Sequence, residues 1–280
     1  MRRTIALLAG LLTLALAGTA SAAVPGLNLV VGNSGPPDSD ATKPARAACP
    51  PGQNVLGVGG KSERGGGQIM LESITPLTDG STLVEGSEDQ DGFAGDWSVK
   101  AYAICADVDT TRRRTPSDPF DSFAPKLAST EPFACPGSTR LTGSGAQIPL
   151  GQSGQVLLDG MVPSTDLEWT EARGDEDQDG HDGNWSLRPW AICADPLPGL
   201  ELETARSASN SQNKHVTAVC APGKRVVGTG GRIFGGGGEV AFQYIIPDAA
   251  LTRVSVRGVE DQDGRATNWS VNAYAVCATA

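Results

Sequence analysis

The chain has 280 residues and a formal net charge of −10, with 36 glycines and an aromatic content of only 5%. An acidic chain lacks the basic footprint that nucleic acid requires, and it is equally unsuited to anionic membrane surfaces. Abundant glycine and β-branched runs favour many short strands joined by turns, which predicts an all-β protein.

Residues 1–22 have the pattern of a signal peptide. Arg2 and Arg3 form a positive n-region, an apolar run follows, and the small residues ASA at 20–22 supply a cleavage signature. The apolar run is too short for a membrane span, and no later segment reaches the necessary length. We therefore expect export, with a soluble, secreted mature protein and no membrane span.

The mature chain is predicted to consist of three homologous repeats, at residues 23–106, 107–194 and 195–280, with 107–134 as a partly flexible linker. Each unit opens with a cysteine, a proline and a Gly-x-Gly motif, in CPPGQNVLGVGG, CPGSTRLTGSGA and CAPGKRVVGTGG. Each unit closes with WSVKAYAICA, WSLRPWAICA or WSVNAYAVCA. Because several motifs recur together in the same order, the repeat is a specific signal.

Each unit is interpreted as a series of strands in which the Gly-x-Gly strand comes first and a strand that begins with tryptophan comes last. In the last strand of the first unit Trp97, Val99, Ala101 and Ala103 share one face. A large indole followed by alanines indicates a core position where another backbone comes close. The Gly-x-Gly strand is the expected neighbour, since glycine marks a close approach of two chains.

Six cysteines in an oxidising compartment predict a disulfide framework. Pairing within units is the simplest arrangement because it gives identical units identical chemistry: Cys49–Cys105, Cys135–Cys193 and Cys220–Cys277. The alternative joins neighbouring units across the linkers, as Cys105–Cys135, Cys193–Cys220 and Cys49–Cys277.

The acidic stretch EDQDG occurs three times, at residues 88–92, 176–180 and 260–264. Carboxylates at alternate positions before a turning glycine resemble the start of a calcium loop, but Ser186 stands where an EF-hand has its bidentate glutamate. Two interpretations stay open: solvated turns in which aspartates cap backbone amides, or weak calcium-type sites. The candidate ligands are Glu88, Asp89, Asp91, Asp175, Glu176, Asp177, Asp179, Glu260, Asp261 and Asp263.

Aromatic residues provide the second set of candidates. Tyr102, Trp190 and Tyr274 lie on the face opposite the alanines and are predicted to be exposed platforms for a sugar ring, whereas Trp97 is predicted to be structural. The only histidines, His181 and His215, occupy unequal places in different units. A Ser-His-Asp arrangement is therefore not indicated, and we expect no enzyme.

Two family resemblances can be stated. The segments VTAVCAPGKRVVGTGGRI, YIIPDAALTRVSVRGVEDQDG and NWSVNAYAVCA resemble a repeat found in many exported proteins of actinobacteria, over essentially all of the mature chain. That family has no settled activity, so the resemblance implies an exported location and repeat boundaries only. The Cys-Pro-x-Gly opening and the paired cysteines also resemble the vitelline membrane outer layer proteins, which implies a threefold β-prism.

The expected architecture is therefore three homologous β-repeats. They either share a pseudo-threefold β-prism core or stand as three small β-sandwich units in tandem. The leading functional hypothesis is a non-enzymatic, multivalent binding module for an extracellular glycan or a cell surface, since copied weak sites give avidity. The alternatives are a structural or protective envelope protein and an exported hydrolase that uses the loop carboxylates.

Overall fold

The computed structural model describes residues 23–114, 118–122, 127–149 and 154–280, so the predicted signal peptide lies outside the described residues. The described residues are all-β, as the sequence predicts. Within these ranges no helix is long and apolar enough to cross a membrane.

The strands follow the three units. The first unit forms β1 (Asn28–Asn33), β2 (Thr42–Ala48), β3 (Asn54–Glu63), β4 (Ile69–Pro76), β5 (Ser81–Glu88) and β6 (Ser98–Ala106). The second forms β7 (Thr110–Arg114), β8 (Asp118–Ser122), β9 (Leu127–Ser129), β10 (Phe133–Ala134), β11 (Arg140–Gln147), β12 (Val156–Pro163), β13 (Trp169–Glu176) and β14 (Gly183–Ala194). The third forms β15 (Glu201–Arg206), β16 (Lys214–Val219), β17 (Lys224–Phe234), β18 (Val240–Pro247), β19 (Arg253–Glu260) and β20 (Ser270–Thr279). The described parts of segment 107–134, predicted as a partly flexible linker, are therefore largely strand.

Every sheet is built from two units. Sheet I has the order β1-β6-β3-β18-β19-β16, sheet II has β2-β5-β4-β11-β14-β7, and sheet III has β10-β13-β12-β17-β20-β15. Each unit thus contributes half of its strands to one sheet and half to the next. Separate sandwiches would keep the strands of a unit together, so this topology is that of a pseudo-threefold β-prism.

The disulfides join sheets rather than strands of one sheet. The bonds are Cys49–Cys105, Cys135–Cys193 and Cys220–Cys277, which confirms the pairing within units. Cys49 follows β2 of sheet II, whereas Cys105 lies in β6 of sheet I. The equivalent bonds join sheet III to sheet II and sheet I to sheet III, so the three bonds tie the prism together cyclically.

Glycines of the Gly-x-Gly motifs allow strands from all three sheets to touch at the centre. A Cβ on Gly228 of β17 would lie 1.9 Å from the backbone oxygen of Thr142 in β11. A Cβ on Gly143 would lie 2.5 Å from the oxygen of Leu56 in β3, and one on Gly57 would lie 2.4 Å from that of Val227 in β17. Only glycine fits such an approach, which explains why the motif recurs.

The tryptophans fill the core between the sheets. Trp97, Trp185 and Trp269 are at most 1% exposed, which confirms the structural role predicted for Trp97. Each indole packs on a glycine of the preceding strand; a Cβ on Gly258, for example, would lie 2.8 Å from Cζ3 of Trp269. The strand that contains or directly follows each tryptophan pairs with the Gly-x-Gly strand of its own unit, as predicted.

Candidate functional site

The three EDQDG loops meet at one end of the prism and hydrogen-bond to one another in a closed ring, here called the axial ring. The glutamine of every loop donates its side-chain N–H to the second aspartate of the next loop. The pairs are Gln90 to Asp179 at 2.9 Å, Gln178 to Asp263, and Gln262 to Asp91. The loops therefore form one composite structure rather than three separate corners.

The glutamate of each loop connects the axial ring to the core. The indole N–H groups of Trp97, Trp185 and Trp269 donate to Glu88, Glu176 and Glu260 at 2.9, 2.7 and 2.6 Å. Each donor lies nine residues after its acceptor, so this bond accounts for the fixed distance between the loop and the tryptophan. A hydrogen bond to an ionised acceptor is stronger than a neutral one.

Glycines that follow β3, β11 and β17 in the chain pack on the axial ring from neighbouring units. A Cβ on Gly67 would lie 1.9 Å from the backbone oxygen of Glu260, and one on Gly238 would lie 2.3 Å from that of Glu176. Gly154 approaches the oxygen of Glu88 in the same way, at 2.6 Å. These approaches interlock the segment after the Gly-x-Gly strand of one unit with the EDQDG loop of another.

The first aspartates of the three loops face each other and are hard to ionise. Burial raises the pKa of Asp89 to about 6, and the charges of Asp91 and Asp177 add to the rise. Burial likewise raises the pKa of Asp261 to about 6, and it raises the pKa of Asp177. Asp89 is 8% exposed, and its buried Oδ1 has no hydrogen-bond partner within the described residues.

The predicted metal ligands are distributed between two different surroundings. Asp175 lies outside the axial ring, buried in β13, and accepts the backbone N–H of Gly238 at 3.0 Å. Across the described ranges, no group of three or more His, Cys, Asp or Glu side chains is arranged to hold a metal ion. Calcium binding by the loops stays a prediction.

The predicted aromatic platforms differ in their accessibility. Trp190 is 6% exposed and Tyr274 is 8% exposed, so the expectation that these rings are exposed is wrong. Each covers the second glycine of a Gly-x-Gly motif: a Cβ on Gly145 would lie 3.2 Å from the Cβ of Trp190. Tyr102 covers Gly59 in the same way but is half-buried, which leaves part of its ring accessible.

A polar groove with a volume of about 450 Å³ lies on sheet I, where the third unit meets the first. Its lining includes Lys61, Glu63 and Arg64 from the end of β3 and the turn that follows it. Across the groove it is lined by Gln243, Tyr244 and Arg257 from β18 and β19. Sequence reasoning missed all six residues, because the two walls come from opposite ends of the chain.

A row of cross-strand neighbours runs through this groove on the outer face of sheet I. Register places Lys100 beside Lys61, Lys61 beside Tyr244, Tyr244 beside Arg257, and Arg257 beside His215. Neighbouring strands lie about 4.8 Å apart, so the row spans about 19 Å. The ring of His215 meets that of Tyr244 edge to face, with 6.1 Å between centroids.

The other two sheets have the same backbone at this place but different side chains. Sheet II carries Arg188, Gln147, Ser73 and Glu85 at the positions of Lys100, Lys61, Tyr244 and Arg257. Sheet III carries Asn272, Arg232, Gly160 and Arg173. Only sheet I therefore combines an aromatic ring with flanking cations in this row. This difference between the units is the sequence signal that could have located the groove.

Some cations of the groove form ion pairs with an acidic side chain, and others do not. Glu63 accepts from both Lys61 and Lys100, at 2.9 Å each. Burial raises the pKa of Tyr102, and the negative charge of Glu63 raises it further, which places Tyr102 beside the same carboxylate. Arg64 and Arg257, by contrast, form no ion pair within the described part of the chain.

The backbone of Arg64 is unusual. Its φ of 79° lies in the left-handed region, where a residue with a side chain costs about 1–2 kcal/mol relative to glycine. The equivalent residue of the third unit is Gly235, with a φ of 78°. Backbone strain of this kind concentrates at functional sites. The first unit thus places a guanidinium at the groove on a backbone suited to glycine.

The two histidines of the chain lie in different parts of the fold. His181 lies beside Gln155 at 3.1 Å, near the second loop, whereas His215 lies on sheet I.

No family model matches the chain, and no curated protein matches it either. The resemblance to exported actinobacterial repeat proteins therefore stays a prediction.

Proposed function

We propose that the protein is a secreted, non-catalytic binding protein that holds an extracellular glycan in the groove of sheet I. The observation that carries this proposal is the groove itself, a concave polar surface centred on the partly exposed ring of Tyr244. Binding sites for small polar ligands combine a ring or apolar wall with a few placed hydrogen-bonding groups. Here Gln243, Glu63 and Arg64 provide those groups around the ring.

Three interlocked sheets, each tied to the next by a disulfide, support the proposal by making the groove rigid. Gln243 lies at a bulge, where the register of β18 with β19 shifts between Phe242 and Tyr244. Such a bulge re-aims side chains in an otherwise regular sheet. Ser62 also donates to the backbone oxygen of Gln243 at 3.4 Å, which joins the two walls. A groove of this kind needs little ordering when a ligand binds.

The test is a glycan array followed by titration calorimetry on the best ligands, with Tyr244→Ser as the variant. Serine is the residue that sheet II has at this position, so the backbone accommodates it. We expect affinity to fall about tenfold, equivalent to about 1.4 kcal/mol. Gln147→Ala, which changes the outer face of sheet II, is the matched control and should leave affinity unchanged.

An array without any ligand above background would overturn the proposal and favour a structural or protective protein. Equal loss of affinity in Tyr244→Ser and Gln147→Ala would also oppose it, because the groove of sheet I would then have no special role.

A further inference from the structure

We infer that the groove of sheet I selects an anionic glycan, and that Arg64 and Arg257 bind its carboxylate, sulfate or phosphate groups. This inference rests on the proposed function and adds the chemical class of the ligand. It concerns one sheet only, because the positions equivalent to Tyr244 in sheets II and III hold serine and glycine.

The first step of the argument concerns charge. The protein as a whole is acidic, at −10, so its average surface repels polyanions. The groove opposes this trend, since Lys61, Arg64 and Arg257 line it together with a single acid, Glu63. A concentrated patch of opposite sign raises the local concentration of a charged ligand and guides its approach. An anion that binds this protein is therefore directed to the groove.

The second step separates the cations that are already paired from those that are not. Lys61 and Lys100 share Glu63, so their charges are largely satisfied within the protein. Arg64 is exposed and Arg257 is half-buried, and neither has a carboxylate within ion-pair distance in the described ranges. A guanidinium presents a planar fork of donors that matches carboxylate, sulfate and phosphate oxygens in pairs.

The third step is the comparison with sheet III. Arg173, the counterpart of Arg257, lies 3.8 Å from Asp159 and 3.3 Å from Glu171, so its charge is satisfied inside the protein. Arg64 has Gly235 as its counterpart, and thus adds a cation where the third unit has none. In sheet I, Arg64 and Arg257 line the groove together with Tyr244 and have no carboxylate partner among the described residues, and Arg257 also hydrogen-bonds to Tyr244.

The experiment compares the binding of a neutral polymer with the binding of polymers that carry different anionic groups. Neutral dextran is compared with dextran sulfate, polygalacturonate represents carboxylates, and polyglycerol phosphate represents phosphates. We expect one of the anionic polymers to bind at least tenfold more tightly than dextran at about 50 mM salt, with the preference declining as salt rises. Inorganic sulfate and phosphate are tested separately as competitors.

The decisive variant is Arg64→Gly, which installs the residue found in the third unit. Glycine relieves the left-handed backbone, so the thermal midpoint should not fall, while affinity for the anionic polymer should fall about tenfold. Arg46→Ala, on the exposed face of sheet II, removes one positive charge elsewhere and should change affinity less than twofold. Lost binding without lost stability cannot be attributed to misfolding.

The outcomes distinguish this inference from the proposed function. Equal affinity for neutral and anionic polymers would overturn the anionic selectivity and leave glycan binding standing. Absence of binding to every polymer would overturn both. Competition by free sulfate or phosphate as strong as that by the polymer would support the arginine site but overturn the glycan as its ligand.

Discussion

The axial ring predicts that the protein is destabilised by its own charge near neutral pH, and that Asp89→Asn relieves this. The pKa of Asp89 is about 6 in the folded protein, against 3.8 for an unperturbed aspartate. The folded state therefore binds this proton more tightly than the unfolded state does. The resulting stability is fully present below about pH 4 and is lost as pH rises through 6.

The magnitude follows from the difference in pKa. Two pKa units correspond to about 3 kcal/mol, which is an upper bound for what ionisation of Asp89 costs the folded state at pH 8. The neighbouring carboxylates and the ring can adjust, so we expect about 1–3 kcal/mol. Asparagine keeps the size and the acceptor oxygen of the side chain while removing the charge. Asp89→Asn should therefore raise the free energy of unfolding at pH 8 by about this amount, and at pH 4.5 by only about a third as much.

The assay is urea unfolding followed by tryptophan fluorescence between pH 4.5 and 8.5. The signal is suitable because each buried indole is hydrogen-bonded to a glutamate of the axial ring. Asp96→Asn, at an exposed position near the first loop, is the control for the general effect of removing a negative charge. Parallel pH profiles for Asp89→Asn and the wild type would refute the reasoning, as would an equal gain in Asp96→Asn.

Three further predictions concern the frame and the loops. Gly228→Ala should lower the free energy of unfolding, measured in urea, by about 2–4 kcal/mol, because its Cβ would lie 1.9 Å from a backbone oxygen that cannot move freely; an unchanged midpoint would contradict the contact at the prism centre. Replacing Cys135 and Cys193 together with alanine should cost about 2–5 kcal/mol on the same assay, since the bond closes a loop between residues 58 apart in sequence; identical unfolding curves would oppose this. If the EDQDG loops bind calcium with a Kd of about 0.1 mM, then 1 mM calcium should add about 1.4 kcal/mol of stability; equal thermal midpoints in calcium and in chelator would contradict the calcium-type site.

The local features of the fold are predictable from the sequence because they arise within one unit. Period-2 alternation identifies the strand that follows Trp97, and the recurring Gly-x-Gly identifies its neighbour. Disulfide pairing within a unit is the simpler of the two arrangements that treat equivalent cysteines alike, and it is the one observed. In each case the interacting residues lie within one repeat, so a single copy contains the information and the other copies corroborate it.

Neither the pairing of strands from different units nor the position of the groove is predictable in this way. β3 and β18 meet through Lys61 and Tyr244, which are 183 residues apart, and alternation within a strand does not indicate its partner in another unit. The axial ring is hidden for a similar reason, because Gln90 binds the loop of the next unit rather than its own. Alternation predicts exposure for Trp190 and Tyr274 because they oppose the core face. Both are buried, and each lies directly opposite a glycine of the adjacent strand.

Comparison of equivalent positions in the three units distinguishes residues that the fold requires from residues that are available to a ligand. Positions that are filled alike in all three units, such as Gly57 and Trp97 with their counterparts, are explained by contacts at the centre of the prism. The position of Tyr244 holds serine and glycine in the other units, although the backbone pairing is the same. Stability does not require tyrosine there, since two of three equivalent sites fold without it. Tyr244 is therefore a side chain that the fold does not require, beside an arginine in a left-handed conformation, and the proposed glycan site gives both residues a role.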